Sequence, residues 1–234
     1  MISCFGRNIN EYIRKKELIV TISAEKRAYR SIINLILTGQ FRPGDFLLET
    51  EIAEKLGMSR TPVGKALTML VSEGFLNKMP KKGCYIPLPT PEDAEQVFFA
   101  RKAVESQAAA GAAIHASEKE LQQLQEIVSK DKEALASRSK DTYSSANEEF
   151  HLGIAKASHN QYLEKWVRNI FWRSNVYVFY FDSFYKGKEF SVPQKTPMQH
   201  AAIIKAITEK DPKRAAQLME EHIQWTYENL LLKY

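Results

Sequence analysis

Three histidines in the C-terminal part of the 234-residue chain have the residue type and placement of metal ligands. His151, His200 and His222 each fall on the apolar face of a different predicted helix, and neutral imidazole is a good ligand for Zn²⁺ and similar divalent ions. A single histidine on an apolar face is most often a hydrogen-bonded core residue. Three on separate helices of one bundle favour a shared cation, provided that the fold brings them together.

Arg101 is a second candidate for ligand chemistry. It follows Val97 by one helical turn and lies at the edge of an apolar face. In one interpretation it forms an ion pair with Glu105, four residues further on. In the other, its planar guanidinium grips the carboxylate of a bound ligand, which would balance an otherwise costly buried charge.

The segment around residues 59–72 has the chemistry of a DNA reader. Its apolar face comprises Val63, Ala66, Leu67, Leu70 and Val71. Its other face carries the predicted DNA-contacting residues Ser59, Arg60, Thr61, Lys65 and Thr68. A helix packed by one face and basic at its exposed N-terminal turn fits a DNA major groove. A hairpin that follows would bring Lys81, Lys82 and Gly83 to the DNA backbone or minor groove.

Local signals place these residues in a mainly α fold. A helix is predicted from an N-cap at Ser23 to Gly39, followed by helices at 49–56 and 59–74 and a strand–turn–strand hairpin at 75–86. Further helices are predicted at about 91–116, 118–138, 141–158, 160–184, 195–210 and 212–232, with the β-prone stretch 176–181 taken as buried helix. The prediction is an N-terminal arm at 1–22, a winged helix-turn-helix DNA-binding domain at 23–88, and an all-α effector-binding and dimerisation bundle at 89–234.

Composition and charge agree with this organisation. Hydrophobic residues make up 44% and charged residues 26%, as in a globular protein with a real core. Residues 1–90 hold 14 Lys and Arg against 8 Asp and Glu, whereas residues 91–234 hold 19 against 20. The positive excess therefore lies where DNA is expected. With two cysteines, no signal-peptide pattern and no apolar run of membrane-spanning length, we expect a cytoplasmic protein with no membrane partner.

Residues 28–86 resemble the winged helix-turn-helix of GntR-type bacterial transcription regulators. The resemblance rests on Gly57-x-Ser59-Arg-Thr-Pro-Val63, then Ala66-Leu-x-x-Leu-x-x-Glu-Gly74 and a glycine-bearing wing. It implies that Arg60, Thr61 and Gly83 lie at the DNA. The family usually has Arg-Glu where this chain has Gly64-Lys65, so we expect an altered operator specificity with Lys65 as a substitute contact.

Residues of about 92–230 resemble the FadR-type effector domain termed FCD. The matching motifs are Arg101-x-x-x-Glu105, Asn147-x-x-Phe-His151, Ala155-x-Ala-Ser-x-Asn160, Gln199-His200 and Ala215-x-x-x-Met-x-x-His222. The resemblance implies a divalent metal, most simply Zn²⁺, held by Asn147, His151, His200 and His222, with Asn147 in place of the usual Asp. It also implies that Arg101 points into the effector cavity.

The leading hypothesis is a non-enzymatic, ligand-responsive transcription regulator. A homodimer would bind a pseudo-palindromic double-stranded operator, and a small carboxylate at the metal would modulate its DNA affinity. One alternative is a metal-dependent hydrolase that uses the histidines, although no His-Glu-x-x-His motif is present. The other is an architectural DNA binder without an effector.

Overall fold

The computed structural model describes residues 23–137, 139–181 and 195–230. The predicted arm at 1–22 lies outside the described residues. The N-terminal part comprises α1 (Ala24–Leu37), β1 (Phe46–Leu47), α2 (Glu49–Leu56), α3 (Arg60–Ser72), β2 (Asn77–Met79) and β3 (Gly83–Tyr85). The remainder is helical: α4 (Pro91–His115), α5 (Glu118–Ala136), α6 (Lys140–Ala157), α7 (Gln161–Phe181), α8 (Lys195–Thr208) and α9 (Pro212–Glu228). The expected mainly α fold class is confirmed.

Several helices begin at the N-cap residues that the sequence predicts. Ser23, Thr90 and Asp211 each accept a hydrogen bond from a backbone N–H of the first helical turn. Ser117 and Glu120 form a reciprocal capping box at the start of α5. The stretch 176–181 lies within α7, so its helical assignment is confirmed despite its β-branched and aromatic residues.

The small sheet contains one strand that the sequence analysis missed. The strand order is β1-β3-β2, and both pairings are antiparallel, with Leu47 and Lys78 on either side of Cys84. Strands β2 and β3 form the predicted wing. The two-residue strand β1 follows the Pro43-Gly44 turn and is too short to show a strand pattern by itself.

The C-terminal helices pack around α4, which contacts α6, α7, α8 and α9. Its buried surface is rich in alanine (Ala94, Ala108, Ala109, Ala112 and Ala113), so neighbouring helix backbones can approach closely. This arrangement brings the facing sides of α6, α8 and α9 to one region beside α4. Within the described residues, no helix has both the length and the apolar character required to cross a bilayer.

The N-terminal part shares a continuous apolar core with the helical bundle. Trp172 of α7 is fully buried and makes edge-to-face ring contacts with Tyr29 of α1 and with Phe75, which follows the C-terminal end of α3. Beside these rings, the guanidinium of Arg30 lies 2.6 Å from the carboxylate of Glu148 on α6. Helix α1 and the segment that follows α3 are therefore in direct contact with α6 and α7 of the bundle.

Candidate DNA face and histidine centre

Helix α3 presents the predicted reader residues to solvent. Val63, Ala66, Leu67 and Leu70 are buried, which fixes the helix against the core. Exposed on its outer side are Ser59, Arg60, Thr61, Lys65 and Thr68. Ser59 occupies the N-cap position, but its side chain makes no capping hydrogen bond, contrary to the expected cap. The backbone and hydroxyl groups at this end of the helix suit phosphate contacts.

The cationic side chains of this surface form only weak local pairs. Arg60 Nε donates to Glu49 Oε1 at 3.0 Å, and Lys65 Nζ lies 3.6 Å from Glu25 Oε2. Exposed pairs of this kind contribute little stability, about 0–1 kcal/mol, so either cation can exchange its partner for a phosphate. The hydroxyl of Thr68 instead donates to the Gly64 carbonyl oxygen of its own helix.

Gly64 provides space for the side chain of Glu49. A Cβ added at Gly64 would lie 2.6 Å from Glu49 Oε2, which is closer than two non-bonded atoms can approach. The same carboxylate pairs with Arg60 through Oε1. A side chain at position 64 would therefore require the flexible carboxylate of Glu49 to move, a contact between α2 and α3 that the sequence pattern does not predict.

The wing places two lysines at its tip. Lys81 and Lys82 are exposed in the turn between β2 and β3, and the Lys82 N–H donates to the Met79 carbonyl oxygen at 3.1 Å. Gly83, with φ of 101°, adopts a backbone conformation that favours glycine. The wing lies on the same N-terminal part of the molecule as the exposed side of α3.

The structure brings the three predicted histidines together in the interior. His151 of α6, His200 of α8 and His222 of α9 are 0–3% exposed. One ring nitrogen from each lies within 4.8 Å of the others. The ring of Phe150 stacks on His200 with centroids 3.6 Å apart and planes 12° apart, which restricts the orientation of that imidazole.

A different oxygen acceptor holds Nδ1 of each histidine. Glu105 Oε2 accepts from His151, Asp131 Oδ2 lies 2.5 Å from Nδ1 of His200, and Gln199 Oε1 lies 3.2 Å from Nδ1 of His222. An Nδ1–H donated to each acceptor leaves Nε2 with its lone pair, which in His151 faces Nη2 of Arg101 at 3.0 Å. Acceptors of this kind fix the tautomer and orientation of metal-binding histidines.

The donor set fits a divalent cation. Nε2 of His200 is buried and has no hydrogen-bond partner among the described residues, which marks it as a free ligand atom. Burial, aided by the charge of Arg101 and opposed by Glu105, lowers the pKa of His151 to about 4, and burial also lowers the pKa of His222. Neutral imidazoles are the form that coordinates metal. Asn147, the fourth predicted ligand, is half-buried on α6 one turn before His151.

Arg101 forms the predicted ion pair with Glu105. Its Nε donates to Glu105 Oε1 at 2.5 Å, its Nη1 donates to Ser174 Oγ at 3.2 Å, and its Nη2 lies 3.0 Å from His151 Nε2. Burial alone would raise the pKa of Glu105, but Arg101 and His151 together lower it to about 2. Glu105 therefore carries a full charge that neutralises Arg101. Effector binding by Arg101 stays a prediction.

The sequence pattern did not predict the roles of Asp131 and Gln199 or the link from Glu105 to His151. For Asp131 a signal was present. On α5, Leu124, Val128, Asp131 and Leu135 recur at helical spacing, so an acidic residue occupies a position of the apolar stripe. A buried carboxylate requires a polar partner, and His200 is that partner.

Family models match both parts of the chain. Residues 24–86 match the model for bacterial regulatory proteins of the gntR family, and residues 96–224 match the FCD domain. The chain is 28% identical over 222 residues to the Uxu operon transcriptional regulator of Escherichia coli K12, covering 86% of this chain and 84% of the relative. It is 27% identical over 143 residues to the uncharacterized HTH-type transcriptional regulator YdhC of Bacillus subtilis, covering 61% of this chain and 64% of the relative.

A further curated relative matches part of the chain, and a solved structure shares its fold. The chain spans 48% of the length of a 44% identical HTH-type regulator of Agrobacterium vitis, matched over 82 residues or 35% of this chain. The solved structure of E. coli McbR/YncC superposes with a TM-score of 0.72 at 23% identity, covering 88% of this chain and 95% of that one. The family and the curated relatives are named as regulators, which supports the non-enzymatic prediction over the hydrolase alternative. The two domain models together cover most of the chain, and it therefore belongs to the gntR family of bacterial regulatory proteins and carries an FCD domain.

Proposed function

We propose that the chain is a DNA-binding transcription regulator controlled by a small carboxylate. Residues 23–88 form the DNA-binding domain, and residues 89–234 form the effector-binding and dimerisation domain. The observation that carries this function is the exposed basic N-terminal turn of α3, held by a buried apolar face and accompanied by the lysine-bearing wing. Membership of the gntR family supports the same conclusion.

In the proposed complex, a homodimer places the two copies of α3 in successive major grooves of a pseudo-palindromic operator. Arg60, Thr61 and Lys65 contact base edges and phosphates, while Ser59 and Thr68 add hydroxyl groups along the same side of the helix. Lys81, Lys82 and Gly83 of the wing approach the backbone or minor groove. Half-sites are expected about one helical turn apart.

The histidine centre is the proposed effector site. His151, His200 and His222 would hold a divalent cation, with the amide oxygen of Asn147 as a fourth, uncharged ligand. Bound metal supplies a Lewis-acidic position at which an effector carboxylate can coordinate. The proposal is supported by the free Nε2 of His200 and by the three acceptors that fix the imidazoles. Arg101 adds positive charge beside His151, and an effector would compete with Glu105 for its guanidinium.

Helix α6 is the proposed link between the effector site and the DNA face. It carries His151 on one side and, one turn earlier, Glu148, which pairs with Arg30 on α1. A shift of α6 on effector binding would therefore act directly on the DNA-binding domain. A tenfold change in operator affinity requires about 1.4 kcal/mol of preference of the effector for one arrangement.

DNA binding can be tested with randomised duplex at low salt followed by selection of the preferred sequence. Replacing Arg60 by Ala should weaken binding to the selected sequence more than binding to random duplex, because a base contact is lost. Replacing Lys82 by Ala should weaken both alike and reduce the magnitude of the salt slope by about 1. Lys213, an exposed lysine of α9, is the matched control, and its replacement should leave binding unchanged. Absence of binding to any duplex at low salt would refute the DNA-binding function.

The effector site can be tested by elemental analysis and a thermal-shift screen of small carboxylates. Bound ligand at 100 times its dissociation constant should stabilise the protein by about 2.7 kcal/mol, and a chelator should remove the contribution of the metal. His200→Ala should abolish both the metal content and the carboxylate response. A carboxylate response that persists unchanged in metal-free protein would refute the role of the cation.

A further inference from the structure

Asp131 is a buried carboxylate on a helix whose other acidic residues lie at the surface or in its capping turn. It is 1% exposed, and its Oδ2 lies 2.5 Å from Nδ1 of His200. Removing a carboxylate from water is expensive unless a partner compensates it. The one hydrogen bond to an imidazole satisfies only Oδ2, since Oδ1 is buried with no partner among the described residues.

The contact determines which nitrogen of His200 is free. With Nδ1–H donated to Asp131, the lone pair resides on Nε2, the buried atom with no hydrogen-bond partner in the described structure. This is the nitrogen that can face the ring nitrogens of His151 and His222. Stacking of Phe150 on the same ring fixes its plane but cannot select its tautomer.

Asp131 differs from the other two acceptors in charge. Glu105, which holds His151, is neutralised by its ion pair with Arg101, and Gln199, which holds His222, is uncharged. Among the described residues, no lysine or arginine forms an ion pair with Asp131. The side chain thus supplies a buried negative charge next to neutral ligands, where a cation would be stabilised.

We propose that Asp131 is a positioning residue of the metal centre, which orients Nε2 of His200 toward the cation and balances part of its charge. This inference rests on the metal site of the proposed function. A carboxylate–imidazole–metal arrangement raises the basicity of the ligand as well as fixing its direction. Asp131 does not touch the cation itself in this role.

The test uses Asp131→Asn in the full chain, because the amide oxygen can still accept from Nδ1–H while the charge is removed. Affinities for Zn²⁺ and Co²⁺ are measured by competition with a chelating chromophore, and the visible spectrum of the Co²⁺-loaded protein reports ligand geometry. We expect affinity to fall by about 10- to 100-fold with a changed Co²⁺ spectrum.

Asp131→Glu, which keeps the charge, should restore part of the affinity. Glu133→Gln, the same change of charge at an exposed position of α5, should have no effect.

The outcomes separate this inference from the metal site on which it depends. If wild-type protein fails to bind Co²⁺ or Zn²⁺, the metal centre and the role of Asp131 are both refuted. If wild type binds metal and the folded Asp131→Asn variant has the same affinity and spectrum, only the positioning role is refuted. If the variant binds metal with wild-type affinity but is destabilised by the same amount with and without metal, Asp131 and His200 form a purely structural pair. Should Asp131→Asn not fold, the Asp131→Glu variant decides by the same two measurements.

Discussion

Removing either partner of the ion pair between Arg30 and Glu148 should lower the free energy of unfolding, but by unequal amounts. The side chain of Glu148 is 10% exposed and that of Arg30 is 33% exposed, and the nitrogen and oxygen lie 2.6 Å apart. Arg30→Gln leaves a buried carboxylate without its cation. Glu148→Gln leaves an arginine that water can reach. The first change should therefore be the more destabilising.

The magnitude follows from burial. Breaking a fully buried pair costs about 3–5 kcal/mol, and partial exposure of this pair reduces the expected cost of Arg30→Gln to about 2–3 kcal/mol. For a chain of this size that corresponds to a decrease in Tm of about 4–12 °C. Glu148→Gln should cost no more than about 1 kcal/mol. Burial already raises the pKa of Glu148 despite the neighbouring Arg30, so the charged carboxylate is poorly compensated in the folded state.

Guanidinium chloride unfolding at pH 7 of the wild type, both single variants and the double variant measures these costs and the coupling between the residues. The metal affinity proposed for the histidine centre should be the same in all four proteins, because neither residue is one of its proposed ligands. A cost of Glu148→Gln equal to or above that of Arg30→Gln would refute the reasoning from burial. A coupling energy near zero would show that the contact does not join α1 to α6.

Three further changes test other parts of the structure. Gly64→Ala should raise stability by up to about 1 kcal/mol in chemical unfolding, because helix propensity improves while the flexible carboxylate of Glu49 moves aside; a decrease would show that the contact is rigid. Ser117→Ala should cost about 1 kcal/mol at pH 7. Hydrogen bonds from Ser117 lower the pKa of Glu120 to about 2, so this contribution is present above the unfolded pKa and is lost as the pH falls through about 2. An unfolding difference that grew at low pH would contradict it. Trp172→Ala should cost about 3–5 kcal/mol and loosen α1 from α7, measured by unfolding and amide hydrogen exchange; protection retained in α1 would contradict the shared core.

Much of the fold was predictable because its signals are local. Thr90 followed by Pro91, the Ser117 capping box and Asp211 followed by Pro212 set helix starts through contacts within one turn. The strand β1 was missed because it is defined by pairing with β3, almost 40 positions away, and not by a pattern of its own.

The sequence alone determined that α3 has one packed and one exposed face and that three histidines lie on inward faces, since helical periodicity assigns each residue a side. Only the tertiary structure decided which acceptor holds each histidine, that Arg101 pairs with Glu105, and that Gly64 accommodates Glu49. Glu105 and Asp131 reach their histidines across 46 and 69 positions of the chain. Hydrogen bonds over such separations depend on the rotation and offset of one packed helix against another, and local periodicity specifies neither.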